Sequence, residues 1–192
     1  MAVFEEFGQS FMTYPESKWR RTLFRAPIFL WRLGLGPIIG HNMLLLTTTG
    51  RKTGLPRRAL TEYHTLQGKI YVPCAFGPQS DWYKNLVADP HVTVQTWQGA
   101  ESMLATRVTE DEELLAIIDL MRSRNPVMLA WYFESLGIAE ESEDILANKD
   151  RIYIIRFDPT TDPTPFPLEA DLAWLWPVLL LAVLKLCRRR KK

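Results

Sequence analysis

The residues best suited to bind an anion lie in a short stretch, 44–58, that begins with an apolar and β-branched run. Two glycines, Gly50 and Gly54, and then Pro56 predict a tight turn after a buried strand. The turn carries four cations and no acid: Arg51, Lys52, Arg57 and Arg58. Guanidinium groups, threonine hydroxyls and backbone amides freed by glycines bind phosphate or carboxylate groups well. The stretch therefore predicts an anion-binding corner, and an exposed basic turn that binds nothing is the alternative.

Other reactive groups are sparse. The two cysteines, Cys74 and Cys187, cannot build a disulfide framework, which indicates a reducing, cytoplasmic compartment. The three histidines, His41, His64 and His91, lack metal-ligand spacing, so they are interpreted as structural or surface residues and no metal site is predicted. The glycine spacing at the turn excludes a nucleotide-binding P-loop. The first ten residues are acidic and lack the apolar run of a secretory signal.

Both ends of the chain differ from its centre. Residues 18–32 are basic and rich in aromatics, which predicts an amphipathic helix that lies on an anionic bilayer, packs on its own domain, or does both. Residues 158–167 contain four prolines and predict a stiff linker. Residues 172–184 carry no charge and precede a polybasic end. As a helix they would span roughly 20 Å, short of the ~30 Å hydrocarbon core. We hypothesise membrane attachment with an open topology; docking on another subunit is the alternative.

The central region predicts an α+β fold. Predicted strands cover 43–49, 57–65, 69–76, 91–97, 101–108 and 151–157, and predicted helices cover 80–87, 109–122 and 126–136. The helix signals include a Ser80 cap and a capping box at 109–112. About six short, mostly antiparallel strands with flanking helices favour a barrel-like sheet over a doubly wound one. We therefore divide the chain into 1–41, a basic amphipathic helical region, 42–158, the barrel domain, and 159–192, the linker, apolar tail and polybasic end.

Two motifs together resemble a known family. The stretch 47–57, followed by Ser-Asp-Trp-Tyr-Lys-Asn-Leu at 80–86, Pro90 and Val-Thr-Val at 92–94, is similar to the nitroreductase-family deazaflavin-dependent oxidoreductases. The resemblance covers roughly 25–157. It implies a split β-barrel related to FMN-binding barrels and the cofactor coenzyme F420, a 5-deazaflavin with a phosphodiester-linked lactyl-oligoglutamate tail. The enzyme class it implies is an F420H2-dependent reductase of the nitroreductase or quinone reductase type.

The resemblance also implies roles for individual residues. Arg51, Lys52 and Thr53 would take the phosphate and the tail. Beside the deazaflavin and its ribityl chain would pass Arg57, Arg58, Ala59, Leu60 and Thr61. The ring would be lined by Pro73, Cys74, Ala75 and Phe76. A helix would close over the cofactor with Asp81, Trp82, Tyr83, Lys84 and Asn85. The alternatives are that Trp82 belongs to the core and that Asn85 only caps a helix end.

The residues expected to meet the substrate depart from the family's nitroreductases. These positions are Glu62, Met128, Trp131 and Tyr132. Glu62 aligns with a tyrosine of those enzymes, and strand alternation turns Tyr63 to the opposite face. The departures suggest a bulkier, lipophilic and electron-poor acceptor, either a quinone, an enone or a nitro compound. The proton would come from solvent, Tyr132 or Tyr63, which stay unranked, and no metal or protein nucleophile is required.

Two other functions and several partners complete the predictions. An FMN-type flavin-binding reductase and a non-catalytic, membrane-associated cofactor carrier are the alternative functions. The expected partners are a small lipophilic substrate, a membrane surface met by the N-terminal helix and the C-terminal tail, and a second copy of the chain in a homodimer. Nucleic acid is not an expected partner.

Overall fold

The computed structural model describes residues 28–178 and 181 of the chain. Predictions for residues 1–27 and for the polybasic end lie outside these residues. The strands are β1 (Met43–Thr49), β2 (Pro56–Glu62), β3 (His64–Leu66), β4 (Lys69–Pro73), β5 (His91–Thr96), β6 (Gly99–Arg107) and β7 (Ile154–Pro159). The helices are α1 (Gly36–Ile39), α2 (Asp81–Ala88), α3 (Asp111–Arg124), α4 (Pro126–Leu136) and α5 (Ser142–Ala147). A π-helical turn, Trp31–Leu35, precedes α1, and Gly77–Gln79 and Lys149–Arg151 form 3-10 turns.

The strands form one antiparallel sheet with the order β2-β1-β5-β6-β7-β4-β3. The α+β class and the split barrel are confirmed, with seven strands in place of about six. β2 and β3 lie at opposite edges of this order although only Tyr63 separates them in sequence. The short connection requires the sheet to curl so that its two edges approach each other without pairing. An open, strongly curled sheet of this kind is a split barrel.

The predicted second strand, 57–65, is wrong as a single element. Glu62 pairs with Met43 on β1, whereas His64 pairs with Tyr71 on β4. The chain bends between them at Tyr63, whose hydroxyl donates to the Gly40 carbonyl at 2.9 Å. Sequence periodicity could not show the break because both halves have strand-forming residues.

Two apolar clusters fill the two sides of the sheet. Inside the curl, Leu44 and Leu46 of β1 pack with Val94 and Phe157, and Leu86 of α2 closes this cluster. On the other side, α3, α4 and α5 cover the half of the sheet that contains β4 and β7, with the buried residues Ile117, Ile118, Leu129, Phe133 and Ile154. The sheet is therefore packed against an apolar cluster on each of its two sides.

Several predicted boundaries need correction. The predicted helix 126–136 is confirmed, and the Asn125 side chain accepts from the Met128 amide at its start. The capping box at 109–112 is wrong: α3 begins at Asp111 and has no side-chain cap. Ser80 does precede α2, but its hydroxyl contacts a cysteine instead of capping. The third strand ends at residue 73, the last begins at 154, and α5 was not predicted because its short sequence has a weak apolar pattern.

The proline-rich segment after β7 lies on the sheet. Gln95 of β5 accepts from the Leu168 amide at 2.7 Å and donates to the Leu168 carbonyl at 3.0 Å. Further on, Asp171 pairs with Arg32 at 2.6 Å, and the Trp176 indole donates to the Leu33 carbonyl. The segment therefore covers the outer face of β5 and joins the helical region before β1. Among the described residues, no helix has the length and apolar character needed to cross a bilayer.

Candidate functional site

A glycine turn connects β1 to β2. The Gly50 carbonyl accepts from the amides of Thr53 at 3.0 Å and Gly54 at 2.7 Å, and the Gly50 amide donates to the Leu55 carbonyl at 2.9 Å. Gly54 has φ +67°, a conformation that favours glycine. A Cβ at Gly50 would lie 2.9 Å from the Leu55 carbonyl oxygen, so only glycine fits there. The predicted tight turn is confirmed.

The side chain of Asn85 fixes this turn to α2. Its amide nitrogen donates to Thr48 Oγ1 at 3.1 Å, and its Oδ1 accepts from Arg51 Nη1 at 3.0 Å and the Arg51 amide at 3.3 Å. Asn85 is buried. Arg51 also pairs with Asp81 at 3.0 Å. An acid therefore enters the corner from a distant part of the sequence, and Arg51 is engaged by α2 rather than free for a ligand.

The remaining cations of the turn lie on two faces of β2. Arg57 is opposite Thr48 and Arg58 is opposite Thr47, so their side chains point to opposite sides. Arg57 is exposed, with Nη2 at 3.4 Å from Thr53 Oγ1. Arg58 is half-buried, and neither its Nε nor the facing Thr47 Oγ1 has a hydrogen-bond partner among the described residues. A ligand that runs along the edge of β2 can reach both arginines.

An apolar cavity of about 190 Å³ lies at the other end of β2. It is enclosed by β2, by the chain after β4, and by the junction of α3 with α4. Its wall consists of Met43, Leu60, Thr61, Glu62, His64, Pro73, Ala75, Phe76, Met121, Asn125, Met128, Leu129 and Tyr132. The wall thus brings together eight predicted site residues from three separate parts of the sequence.

Other predicted residues lie outside the wall. Trp82 and Tyr83 pack against the inner apolar cluster, which favours the core interpretation for Trp82. Tyr63 donates to Gly40, away from the cavity, and this contact argues against it as a proton donor. Ala59 and Trp131 do not line the cavity either. The turn residues and α2 form the cationic corner instead.

Cys74 is turned into the protein interior. Its thiol donates to the Gly77 carbonyl at 3.4 Å and lies 3.3 Å from the Ser80 hydroxyl. Burial raises the pKa of Cys74 to about 12 despite these contacts. Strand alternation gives the reason, because Pro73 and Ala75 on either side face the cavity. This placement corrects the expectation that the Cys74 side chain faces a bound ring.

Polar groups in the cavity wall are few. The Tyr132 hydroxyl accepts from the Tyr153 amide at 3.1 Å, and burial raises its pKa well above the ordinary value. Glu62 is half-buried, and burial raises its pKa as well. His64 is only 4% exposed, and its pKa is lowered by burial and by the charge of Arg124. Among the described residues, no group of His, Cys, Asp and Glu could hold a metal ion.

Sequence reasoning missed five residues of the wall: Met43, His64, Met121, Asn125 and Leu129. Four of them have no chemical signature that separates them from core or cap residues. The absence of metal-ligand spacing around His64 predicts a structural or surface residue and does not indicate a place in a cavity wall. Its position two residues after Glu62, on a predicted strand, was the available signal, since alternate strand residues share a face.

A curled antiparallel sheet with a cationic corner and an apolar cavity along one edge strand defines a class of protein that can hold an elongated anionic cofactor. The chain matches the family described as F420H2-dependent quinone reductase over residues 34–131, just over half of its length. It belongs to the F420H2-dependent quinone reductase family. It is therefore a deazaflavin-dependent reductase that uses coenzyme F420.

Solved structures with low sequence identity are also similar. A structure of an F420-H2-dependent reductase is 21% identical, with a TM-score of 0.45 and coverage of 61% of this chain and 94% of that one. A domain-swapped dimer is 20% identical, with a TM-score of 0.46 and coverage of 69% and 100%. HutZ, the haem storage protein of Vibrio cholerae, is 15% identical, with a TM-score of 0.43 and coverage of 76% and 97%.

The residues present fit coenzyme F420. Lys52 and Arg57 are exposed cations at the corner, and Arg58, on the way to the cavity, has an Nε without a hydrogen-bond partner in the part of the chain that the structure describes. Such groups match a phosphodiester and a glutamate tail. The apolar wall matches an uncharged ring system. The cations at the start of β2 thus match the charged part of the cofactor, and the apolar cavity at the end of β2 matches its ring.

Proposed function

We propose that this reductase transfers electrons to a lipophilic, electron-poor acceptor, a quinone in the first instance, which enters the cavity at the end of β2. The observation that carries the proposal is the apolar character of that cavity in a member of this family. Its volume of about 190 Å³ lies below the roughly 300–1,000 Å³ typical of ligand pockets. The cavity therefore accommodates only part of the cofactor and the acceptor, and the remainder of these ligands must extend along β2.

We assign the anionic part of the cofactor to the corner. Lys52, Thr53 and Arg57 would hold the phosphate and tail, and Arg58 would contact the chain that leads to the ring. Strand geometry supports this arrangement, because five steps from Arg57 to Glu62 span about 17 Å at ~3.3 Å per residue. That length suits a ligand with a ring at one end and charges at the other. Arg51 and Asn85 act through the turn, which they fix to α2.

The ring and the acceptor belong to the cavity. Coenzyme F420 in its reduced form supplies a hydride, which amino-acid side chains do not. Pro73, Ala75 and Phe76 would orient one face of the ring, and Met128 and Tyr132 of α4 would hold the acceptor against it. Met121 and Leu129 are buried apolar side chains of the same wall and would help to exclude water from the space between the ring and the acceptor. Close placement and a dry site are the protein's contribution to such a transfer.

Titration of the purified full-length chain with coenzyme F420 and, separately, with FMN tests the cofactor assignment. We expect tight binding of F420 only. A Lys52→Ala/Arg57→Ala double variant should bind F420 at least about tenfold more weakly per lost cation, since a charge-assisted contact contributes roughly 1.5–3 kcal/mol. Lys69→Ala/Lys149→Ala, which removes two cations that lie outside the corner and pair with Asp158 and Asp111, is the control.

Three results would contradict the proposal in different ways. Unchanged F420 affinity in the folded double variant would remove the corner from the cofactor site. Tight binding of FMN alone would favour the flavin-binding alternative. Binding of F420 without oxidation of its reduced form by any quinone would favour a non-catalytic carrier.

We also propose that the chain meets its acceptor at a membrane surface. Large apolar side chains are exposed around the joined helical and C-terminal segments, among them Ile38, Phe166 and Trp174. Six cations follow within residues 185–192 of the sequence. Exposed aromatics beside a polybasic segment suit an anionic bilayer. Residues 1–27 and 182–192, which carry much of the basic charge, lie outside the described part of the chain.

A further inference from the structure

Two titratable side chains face the same cavity from opposite edges of the sheet. Glu62 is the last residue of β2 and His64 is the first of β3, and the bend at Tyr63 separates them. Both line the cavity. The fold therefore places a carboxyl and an imidazole together in a wall that is otherwise mostly apolar.

Neither side chain holds the structure together. Among the described residues, no hydrogen bond joins the Glu62 carboxyl or the His64 ring to another residue, and His64 Nδ1 is buried without a partner. An unsatisfied buried polar group costs about 1–3 kcal/mol, so its retention requires a reason. A ligand that completes the hydrogen bonding of the cavity supplies one.

The charge state of each group suits a polar ligand without charge. Burial raises the pKa of Glu62, which favours the protonated acid that can donate a hydrogen bond. Burial and the nearby charge of Arg124 lower the pKa of His64, which keeps the imidazole neutral at pH 7. A neutral imidazole has one donor and one acceptor nitrogen. The pair can thus contact a carbonyl oxygen and its hydroxyl product.

We propose that Glu62 delivers the proton that accompanies reduction of the acceptor, and that His64 hydrogen-bonds and orients the same acceptor. The proposal rests on the proposed function. For a quinone, the cofactor would supply two electrons and one hydrogen as hydride when it is bound in its reduced form. The proton of the Glu62 carboxyl forms the new O–H bond at the quinone oxygen, its own O–H bond breaks, and the carboxylate is reprotonated by solvent. One quinone, one hydride and one proton give one hydroquinone.

Glu62 is a better proton donor to the quinone oxygen than either Tyr132 or Tyr63. A hydroquinone oxygen is a phenol, with an ordinary pKa of about 10. Transfer from Tyr132 to that oxygen is uphill, because burial raises the tyrosine pKa above this value. Transfer from a carboxyl group is downhill even when its pKa is raised by several units. The Tyr63 hydroxyl is already donated to the Gly40 carbonyl.

Several of the elements around Glu62 carry charged or titratable groups. Arg58 precedes it on the same face of β2, His64 comes from β3, Arg124 ends α3, and Tyr132 comes from α4. From β1 and β4 the wall receives Met43 and Pro73, which do not titrate. No second carboxylate of the wall competes for the proton among the described residues.

Histidine NMR of the full-length chain without cofactor tests the placement without relying on turnover. The chain has three histidines, and two serve as internal controls: His41 stacks on Trp97, and His91 lies between Asp89 and Asp162. Titration with menadione should shift the ring nitrogen signals of His64 saturably and leave the other two unchanged. Unchanged His64 signals at saturating menadione would overturn the inference.

Kinetics of menadione reduction test the proton transfer. Glu62→Gln should lower kcat by about 100-fold and abolish the decline of kcat as pH rises through the Glu62 pKa. His64→Gln should raise KM more than it lowers kcat. The matched controls are Glu101→Gln and His41→Gln, both at exposed positions.

The outcomes separate the two proposals. An unchanged kcat and pH profile in Glu62→Gln, in a chain that still binds F420, would overturn the role of Glu62 and leave the proposed function intact. Failure of the unmodified chain to bind F420 would overturn the proposed function and this inference with it. If Glu62→Gln does not fold, the NMR titration of the unmodified chain decides.

Discussion

Adjacent residues of β2 and of the chain that continues into β3 have different surroundings because side chains alternate between the two faces of a sheet. Glu62 faces the cavity, Tyr63 bends away to hydrogen-bond Gly40, and His64 faces the cavity again. Arg57 and Arg58 are separated in the same way. The chemistry of a residue in this sheet therefore depends on which face it occupies as much as on its type. Cys74 is the clearest example among the predicted ring contacts.

The Cys74 thiol should be unreactive in the folded protein. With a pKa of about 12, its thiolate fraction at pH 8 is on the order of one in 10⁴, and the side chain is buried. In a Cys187→Ser variant, where Cys74 is the only cysteine, a disulfide reagent should react only after denaturant is added. Rapid reaction in buffer would show that the thiol is accessible.

At the scale of elements, α2 supports the cationic corner through side-chain contacts with the turn. Its buried Asn85 contacts Thr48 before the turn and Arg51 within it. Arg51 in turn contacts Asp81 at the start of the helix. These contacts fix the position of the exposed cations Lys52 and Arg57. The helix is thus the element that converts a flexible basic turn into a defined corner.

Replacement of Asn85 by alanine should weaken both the fold and the corner. The change leaves Thr48 and the Arg51 amide without their partner, and we expect a loss of about 1–3 kcal/mol in unfolding free energy. F420 affinity should fall as well, since the turn is no longer fixed. Urea denaturation and F420 titration measure the two effects. Val87→Ala, at an exposed position of the same helix, should change neither.

A second group of contacts joins α3 to the sheet. Glu113 accepts from the Tyr71 hydroxyl at 2.7 Å and from Arg156 at 2.9 and 3.0 Å. Burial opposes ionisation of Glu113, but these hydrogen bonds outweigh it and lower its pKa. A lowered folded-state pKa gives stability that is present above the unfolded value of about 4.3 and is lost as pH falls through the folded value.

Glu113→Gln should therefore be less stable than the unmodified chain at pH 6.5, and the difference should shrink below about pH 4. Urea denaturation at a series of pH values measures it. Glu112→Gln, on the exposed side of the same helix turn, should show no such convergence. A difference that stays constant down to pH 3 would assign the destabilisation to packing instead of charge.

At the scale of the molecule, the two edges of the curled sheet approach each other, and the segment around residues 32–33 contacts the segment around residues 171–176. The edges meet around Tyr63 and form the cavity. The two segments are joined where Asp171 pairs with Arg32 and the Trp176 indole donates to the Leu33 carbonyl. The predicted linker packs on β5 through Leu168. Exposed apolar side chains therefore lie next to the segment that leads to the polybasic end.

Flotation with liposomes that contain anionic lipid tests the membrane proposal. The full-length chain should float, and a chain that ends after Val178, which retains the contacts of Asp171 and Trp176, should float less. High salt should reduce flotation of the full-length chain because cations contribute to the binding. Equal flotation of the two chains would exclude the C-terminal tail as the attachment site. Homodimer formation stays a prediction that light scattering of the same samples can measure.

The sequence alone determined the glycine turn, the identity of its cations, the helix at 126–136, the antiparallel α+β class and the cofactor family, because these depend on local residue types and on a motif. It could not determine that β2 and β3 are separate strands at opposite sheet edges, since their local propensities are alike. Only the tertiary structure brought Asp81 and Asn85 to the turn and enclosed Glu62 and His64 in one cavity with residues of α3 and α4. Those placements depend on how distant strands curl and pair, and no local pattern records that.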